Sequence, residues 1–274
     1  MYYPYFRGKQ FDLYALTSLL EKELLSSQIQ PIIEPVKNSN ALKKMVRTFE
    51  QKKQPFYLIQ NPQAGDFLTA EGANQLRAFP ASSARIIDQP LETLSETPAL
   101  FVVGSAAATL QSDWEHNTST VVLPEEFRLL QKVRGPKILS QDGFTRLPKT
   151  AFYQELPDEL FSIAHLTYKA RGYVGFSDFS IDSRIYYESG YPSKILSLHL
   201  VYFQNGILRI HHFLSSDDDS SQKEKFLELM IDVDQWQPLL CGAQPTAGLS
   251  LLLEAAAEQR FPGMGVMRKA AVMH

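Results

Sequence analysis

The sequence predicts an α/β protein, a TIM-barrel-like (β/α)8 barrel with an appended C-terminal β-hairpin and helices. Two patterns lead there. Over roughly the first 180 residues, eight short apolar runs end in charged or turn-forming residues, each followed by a helical or loop segment. Strands that alternate with helices imply right-handed parallel crossovers, and eight of them close a barrel. After residue 190 the pattern changes: residues 195–203 and 207–214 are β-rich and flank Gln204-Asn205-Gly206. Asn-Gly supplies the positive φ that a two-residue hairpin turn needs, so an antiparallel pair is expected.

The repeating unit is clearest at Pro31-Ile32-Ile33-Glu34-Pro35-Val36-Lys37. Pro35 keeps the residue before it out of helix, so Glu34 sits in extended backbone, and a helix then follows over 41–53. Ahead of it, 2–6 is an aromatic strand that turns at Gly8, and 10–26 sets Leu13, Leu16, Leu20 and Leu24 at helical spacing. Further strands are expected at 56–60, 84–87, 99–103, 120–123, 137–139 and 173–176. The run 84–87 is the weakest; without it, 195–203 would complete the barrel. Helices are expected within 65–79, at 106–115, at 125–132 behind Pro124, over much of 151–171 with Pro157 as an interruption, at 223–233 and at 248–259. No low-complexity linker divides the chain, so a single domain is expected over 1–274, with 1–185 as the barrel and 190–274 packed on it.

Composition narrows the function classes. A net charge of −3 over 274 residues argues against a protein that coats nucleic acid, while leaving room for a local basic site. The single cysteine, Cys241, excludes an internal disulfide framework and a cysteine zinc cluster. No run approaches the roughly 20 apolar residues of a membrane span, and the opening residues lack the order of a signal peptide, so a cytoplasmic location without a membrane partner is expected.

In a β/α barrel the working residues sit where the strands end. Those positions hold Arg7 and Lys9, Glu34 and Lys37, Asn61, Asp88, Gly104 and Ser105, Asp142 and Asp178. Carboxylates converging from separate strands would suit Mg or Mn, with Glu34, Asp142 and Asp178 as the metal ligands. A metal so held would polarise a phosphoryl group and activate water. Arg7 and Lys9 would hold phosphate oxygens, with Lys37, Asn61 and Ser105 as further binding groups. Lys9, Glu34, His199 and His212 are the candidate catalytic residues, one of the two histidines moving protons. His211 and His212 are adjacent on a strand and so face opposite ways. The competing reading is that each carboxylate caps a helix or faces water, and that Ser105 is an ordinary helix cap.

The segments Tyr3-Pro4-Tyr5-Phe6-Arg7-Gly8-Lys9, Pro31-Ile32-Ile33-Glu34, Gly175-Phe176-Ser177-Asp178-Phe179, Leu198-His199-Leu200-Val201-Tyr202 and Arg209-Ile210-His211-His212-Phe213 together resemble the bacterial and phage group called beta family proteins. Asp12 departs from that pattern, which has Glu. The resemblance implies the barrel fold and an association with mobile and phage-defence genes, and it supplies no mechanism. The leading expectation is therefore a protein that binds a phosphate-containing small molecule or nucleic acid, with metal-dependent phosphodiester hydrolysis as the reaction class. The alternative is a non-catalytic partner or sensor that recognises another protein of the same operon. A sugar-processing enzyme using two carboxylates ranks third.

Overall fold

The computed structural model describes residues 1–94, 97–104, 114, 117–180 and 194–274. The expected cap Ser105 and nearly all of the helix expected at 106–115 lie outside the described residues.

Eight parallel strands form one sheet. In spatial order they are β1 (Tyr5–Phe6), β2 (Ile32–Ile33), β3 (Tyr57–Ile59), β4 (Ser82–Ile86), β5 (Leu100–Val102), β6 (Thr120–Pro124), β7 (Lys137–Gln141) and β9 (Gly175–Asp178). Isolated parallel bridges Tyr2↔Phe176 and Tyr5↔Phe179 bring β9 back to β1, so the sheet is a nearly closed barrel. The weak run at 84–87 is a barrel strand, paired in register with β3 and β5. The interior is filled by Tyr3, Tyr5, Ile32, Ile59, Ala84, Leu100, Val122 and Ile138, one residue in two from successive strands. The alternate positions Phe101, Val121 and Leu123 pack outward with Trp114 and Leu129. Among the helices, α1 spans Gln10–Glu21, and α2 spans Asn40–Lys52 behind an N-cap at Ser39 that accepts from the Leu42 N–H. They are followed by α3 (Ala70–Arg77) and α4 (Phe127–Lys132). Pro124 ends β6 instead of opening α4, which starts three residues later.

The stretch 151–171 departs from expectation. It holds a short 3-10 turn at Thr150–Gln154, a strand β8 at Asp158–Ser162 and a single helical turn α5 at Ala164–Thr167. Strand β8 pairs antiparallel with β11 (Ile207–Leu214), which pairs with β10 (Ser197–Gln204). Residues 158–162 pair with β11, and that ladder overrides the helical reading of the stretch. One face of this three-stranded sheet carries Leu198, Leu200, Tyr202 and Phe213, packed on α6 (Gln222–Cys241), α7 (Ala247–Ala257) and α8 (Met264–Met273). Helix α6 starts at a capping box formed by Ser221 and Glu224 and runs on through Pro238, well past the expected end at 233.

The chain divides into two compact units. The first is Met1–Leu13, Leu20–Asp142 and Ala164–Tyr186, and the second is Tyr14–Leu19, Gly143–Ile163 and Tyr187–His274. The boundary expected near 185–190 is therefore one of several crossings, because β8 places 143–163 with the hairpin.

Two glycines are fixed by close backbone approach. Gly65 has φ +91°, and a Cβ there would lie 1.8 Å from the Val36 carbonyl oxygen; at Gly143 a Cβ would lie 1.9 Å from the Phe161 carbonyl oxygen. Gly65→Ala is expected to lower stability by about 2 kcal/mol or more, since both strain and overlap oppose the methyl group. Chemical denaturation reads this directly, and a stability equal to the parent's would contradict the packing at Val36.

Candidate functional sites

Strand parity decides what reaches the barrel mouth. Tyr5 and Ile32 point inward, so Arg7 and Glu34, two residues further along each strand, share that direction at the C-terminal rim. Glu34 is fully buried. Its Oε2 accepts from the Tyr5 hydroxyl at 2.6 Å, and its Oε1 accepts from the Gln63 N–H at 2.8 Å and lies 3.4 Å from Arg7 Nη1. A buried carboxylate is tolerable only with such partners. Burial, and then the Glu34 charge, push the Tyr5 phenol well above its ordinary value, so Tyr5 remains a donor.

Among the described residues, Arg7 is held from one side only. Its side chain is 19% exposed, and Nε is buried without a hydrogen-bond partner. Of the five N–H donors of a guanidinium, the one engaged within the described residues is on Nη1, at the long 3.4 Å. Gly8, at φ +52°, follows it, and a Cβ there would meet the Glu34 carbonyl oxygen at 2.9 Å, which pins the Arg7-Gly8-Lys9 loop to the end of β2. Lys9 is half-buried on this loop, and Lys37 is exposed on the loop before the α2 cap.

The other candidates at the rim have different work. Asn61 donates from Nδ2 to the Ile86 carbonyl at 2.8 Å and accepts at Oδ1 from the Ile86 N–H at 2.9 Å. Its amide thus continues the β3–β4 ladder beyond the last strand residue, which commits it to the wall and removes it from the candidate ligand-binding groups. Asp88 is exposed, 3.9 Å from Arg85 and within 3.3 Å of Asn61 Nδ2.

The expected metal ligands do not assemble. Asp178 pairs in register with Gln141, and Phe176, two residues before it, packs outward with Leu139. Asp178 therefore belongs to the outer face of the wall, whereas Glu34 faces in. Asp178 is buried and accepts from the Tyr2 hydroxyl at 2.5 Å, and the Tyr2 ring stacks on Phe176. Among the described residues no three His, Cys, Asp or Glu side chains form a group able to hold a metal ion. Glu34, Asp142 and Asp178 do not fit Mg or Mn.

In the second unit, His199 and His212 lie directly opposite on β10 and β11, and their Nδ1 atoms are 2.7 Å apart. Phe144 packs on these rings at 5.2 and 5.8 Å, and Tyr153 at 5.0 and 4.6 Å. Glu159 Oε1 is 3.4 Å from His212 Nε2. His211 faces the other way, as adjacent strand residues must. It stacks on Trp236 with centroids 3.7 Å apart, 3.4 Å from Asp158, which also binds Arg209 and the Tyr202 hydroxyl. Sequence reasoning missed the partnership of His199 with His212 and the roles of Tyr153 and Glu159. The two-residue turn sets the register and would have revealed the histidine pair; Tyr153 and Glu159 were hidden in the stretch read as helix.

No protein-family model, curated protein or solved structure matches this chain.

Asp178 gives a pH signature. Burial and the Asp142 charge push its carboxyl up to about 7 against the opposing pull of the Tyr2 hydrogen bond, burial being the largest influence. The folded protein then keeps a proton that the unfolded chain has lost, so this residue's contribution to stability falls as pH rises from about 4 to 7. Asp178→Asn keeps an acceptor for Tyr2 and removes the ionisation. Its stability relative to the parent should rise by a few kcal/mol, in order of magnitude, between pH 4 and pH 8. A difference that stays flat with pH in denaturant titrations would refute the assignment.

Proposed function

We propose that the C-terminal mouth of the barrel binds a ligand carrying a phosphate group, with Arg7 as the principal contact and Lys9 and Lys37 on the adjoining loops. The supporting observation is Arg7 itself. Its guanidinium is steadied by a buried carboxylate on one side, while its buried Nε makes no hydrogen bond among the described residues. An unsatisfied buried donor in a folded protein calls for a partner, and a phosphate offers the guanidinium two oxygens at once while leaving others for lysine. Glu34 is the positioning residue that aims the fork, and its carboxylate is taken up by Tyr5, Gln63 and Arg7.

The reading is one of binding, compatible with the beta family resemblance and with a sensor or partner role in a mobile-element or defence operon. Metal-dependent phosphodiester hydrolysis has less support, because Asp178 lies on the outer face of the wall while Glu34 faces in, and no group of three such side chains gathers among the described residues.

Calorimetric titration with inorganic phosphate, adenosine monophosphate and a short single-stranded oligonucleotide tests it. At least one should bind, and Arg7→Gln should weaken that affinity roughly ten- to hundredfold, corresponding to about 1.5–3 kcal/mol for a charged hydrogen-bonding group. Arg7→Lys should recover only part, since lysine lacks the fork. Binding that is absent from all three, or unaffected by Arg7→Gln, would overturn the proposal.

A further inference from the structure

The His199–His212 pair in the second unit carries an inference independent of the barrel mouth. Two nitrogens 2.7 Å apart share one proton, and both are Nδ1. Which ring supplies that proton is decided on the far side of His212. There Glu159 Oε1 stands 3.4 Å from Nε2, an electrostatic approach that falls short of a completed hydrogen bond, since Nε2 has no hydrogen-bond partner. Glu159 is fixed in place by the Thr145 N–H at 3.0 Å and hydroxyl at 2.5 Å. A carboxylate repels an imidazole lone pair and attracts an N–H, so Nε2 of His212 holds the proton. Nδ1 of His212 is then bare and accepts from Nδ1–H of His199. By elimination, Nε2 of His199 is a lone pair.

That atom has no hydrogen bond among the described residues, although His199 is only half-buried. The aromatic box of Phe144 and Tyr153 disfavours charge on the ring; burial, helped by His212, lowers its pKa to about 3. The other charged or titratable groups nearby are Asp158 and His211, on the opposite face of the sheet, and Arg146 over the Phe144 ring.

We infer that His199 Nε2 is a proton acceptor for a ligand bearing an O–H or S–H group, with His212 and Glu159 as positioning residues behind it. When the ligand's X–H bond breaks, X keeps the electron pair and Nε2 of His199 gains the proton. The Nδ1 proton of His199 passes to Nδ1 of His212. His199 ends neutral, and the positive charge resides on His212 beside the Glu159 carboxylate. This is how a ring that resists charge accepts a proton.

Imidazole 15N NMR on the full chain reads the tautomers at pH 7. His199 should show a protonated Nδ1 and a lone-pair Nε2, and His212 a protonated Nε2. Diethyl pyrocarbonate, which carbethoxylates unprotonated imidazole, should modify His199 at a rate that stays within about twofold from pH 7 to pH 5. Over the same range the rate for N-acetylhistidine falls about 25-fold as that imidazole becomes protonated. Glu159→Gln should move the His199 Nε2 signal toward the protonated position and slow its modification several-fold. A protonated Nε2 on His199 in the parent protein would overturn the inference, as would a Glu159→Gln variant in which both signals are unchanged.

Discussion

Neighbouring residues on a strand face opposite ways, and that single alternation settles which side chains in this protein meet. It puts Arg7 beside Glu34 at the rim and turns Asp178 out of the barrel to Tyr2. It sends His211 to Trp236 and leaves His212 to His199. A slip of one residue would exchange every one of these partners, because side-chain direction has a period of two. Short strands make the constraint severe: β1 and β2 have only two residues each, so register there depends on side-chain bonds as well as on the backbone ladder. Asn61 shows the device plainly, since its amide pairs with Ile86 as another strand residue would.

The architecture was readable because each barrel unit announces itself locally. Pro35 holds Glu34 extended, Ser39 caps the next helix, and Asn205-Gly206 turns the hairpin. Parity was readable too, as the opposed directions of His211 and His212 show. The failures lie where distant pairing outweighs local preference. Residues 158–162 fall within the stretch expected to be helical and become a strand because β11 offers them a ladder. The proposed carboxylate cluster failed for a related reason. The end of a strand is a position along the chain, whereas membership of a site also requires the correct face, and Asp178 is displaced from the inward set by one residue.

The two polar assemblies handle buried charge differently. At the rim, Glu34 is surrounded by donors, which keeps the Arg7 guanidinium oriented near solvent. In the second unit, the paired imidazoles are neutral and boxed by aromatic rings, with the carboxylate reserved for the far nitrogen. The first arrangement suits recognition of an anion, because a guanidinium stays charged. The second suits transfer of a proton, because its charge appears only when the proton arrives.

Closure of the barrel also carries a consequence for synthesis. Tyr2 and Asp178, which meet at the seam between β1 and β9, are 176 residues apart in the chain. While the ribosome is making the intervening segments, one edge of β1 has no native neighbour, and an open edge invites pairing with other nascent chains. With only two residues in β1, little of that edge is on offer. The brevity of the first strand thus serves as protection during the interval before its last partner emerges.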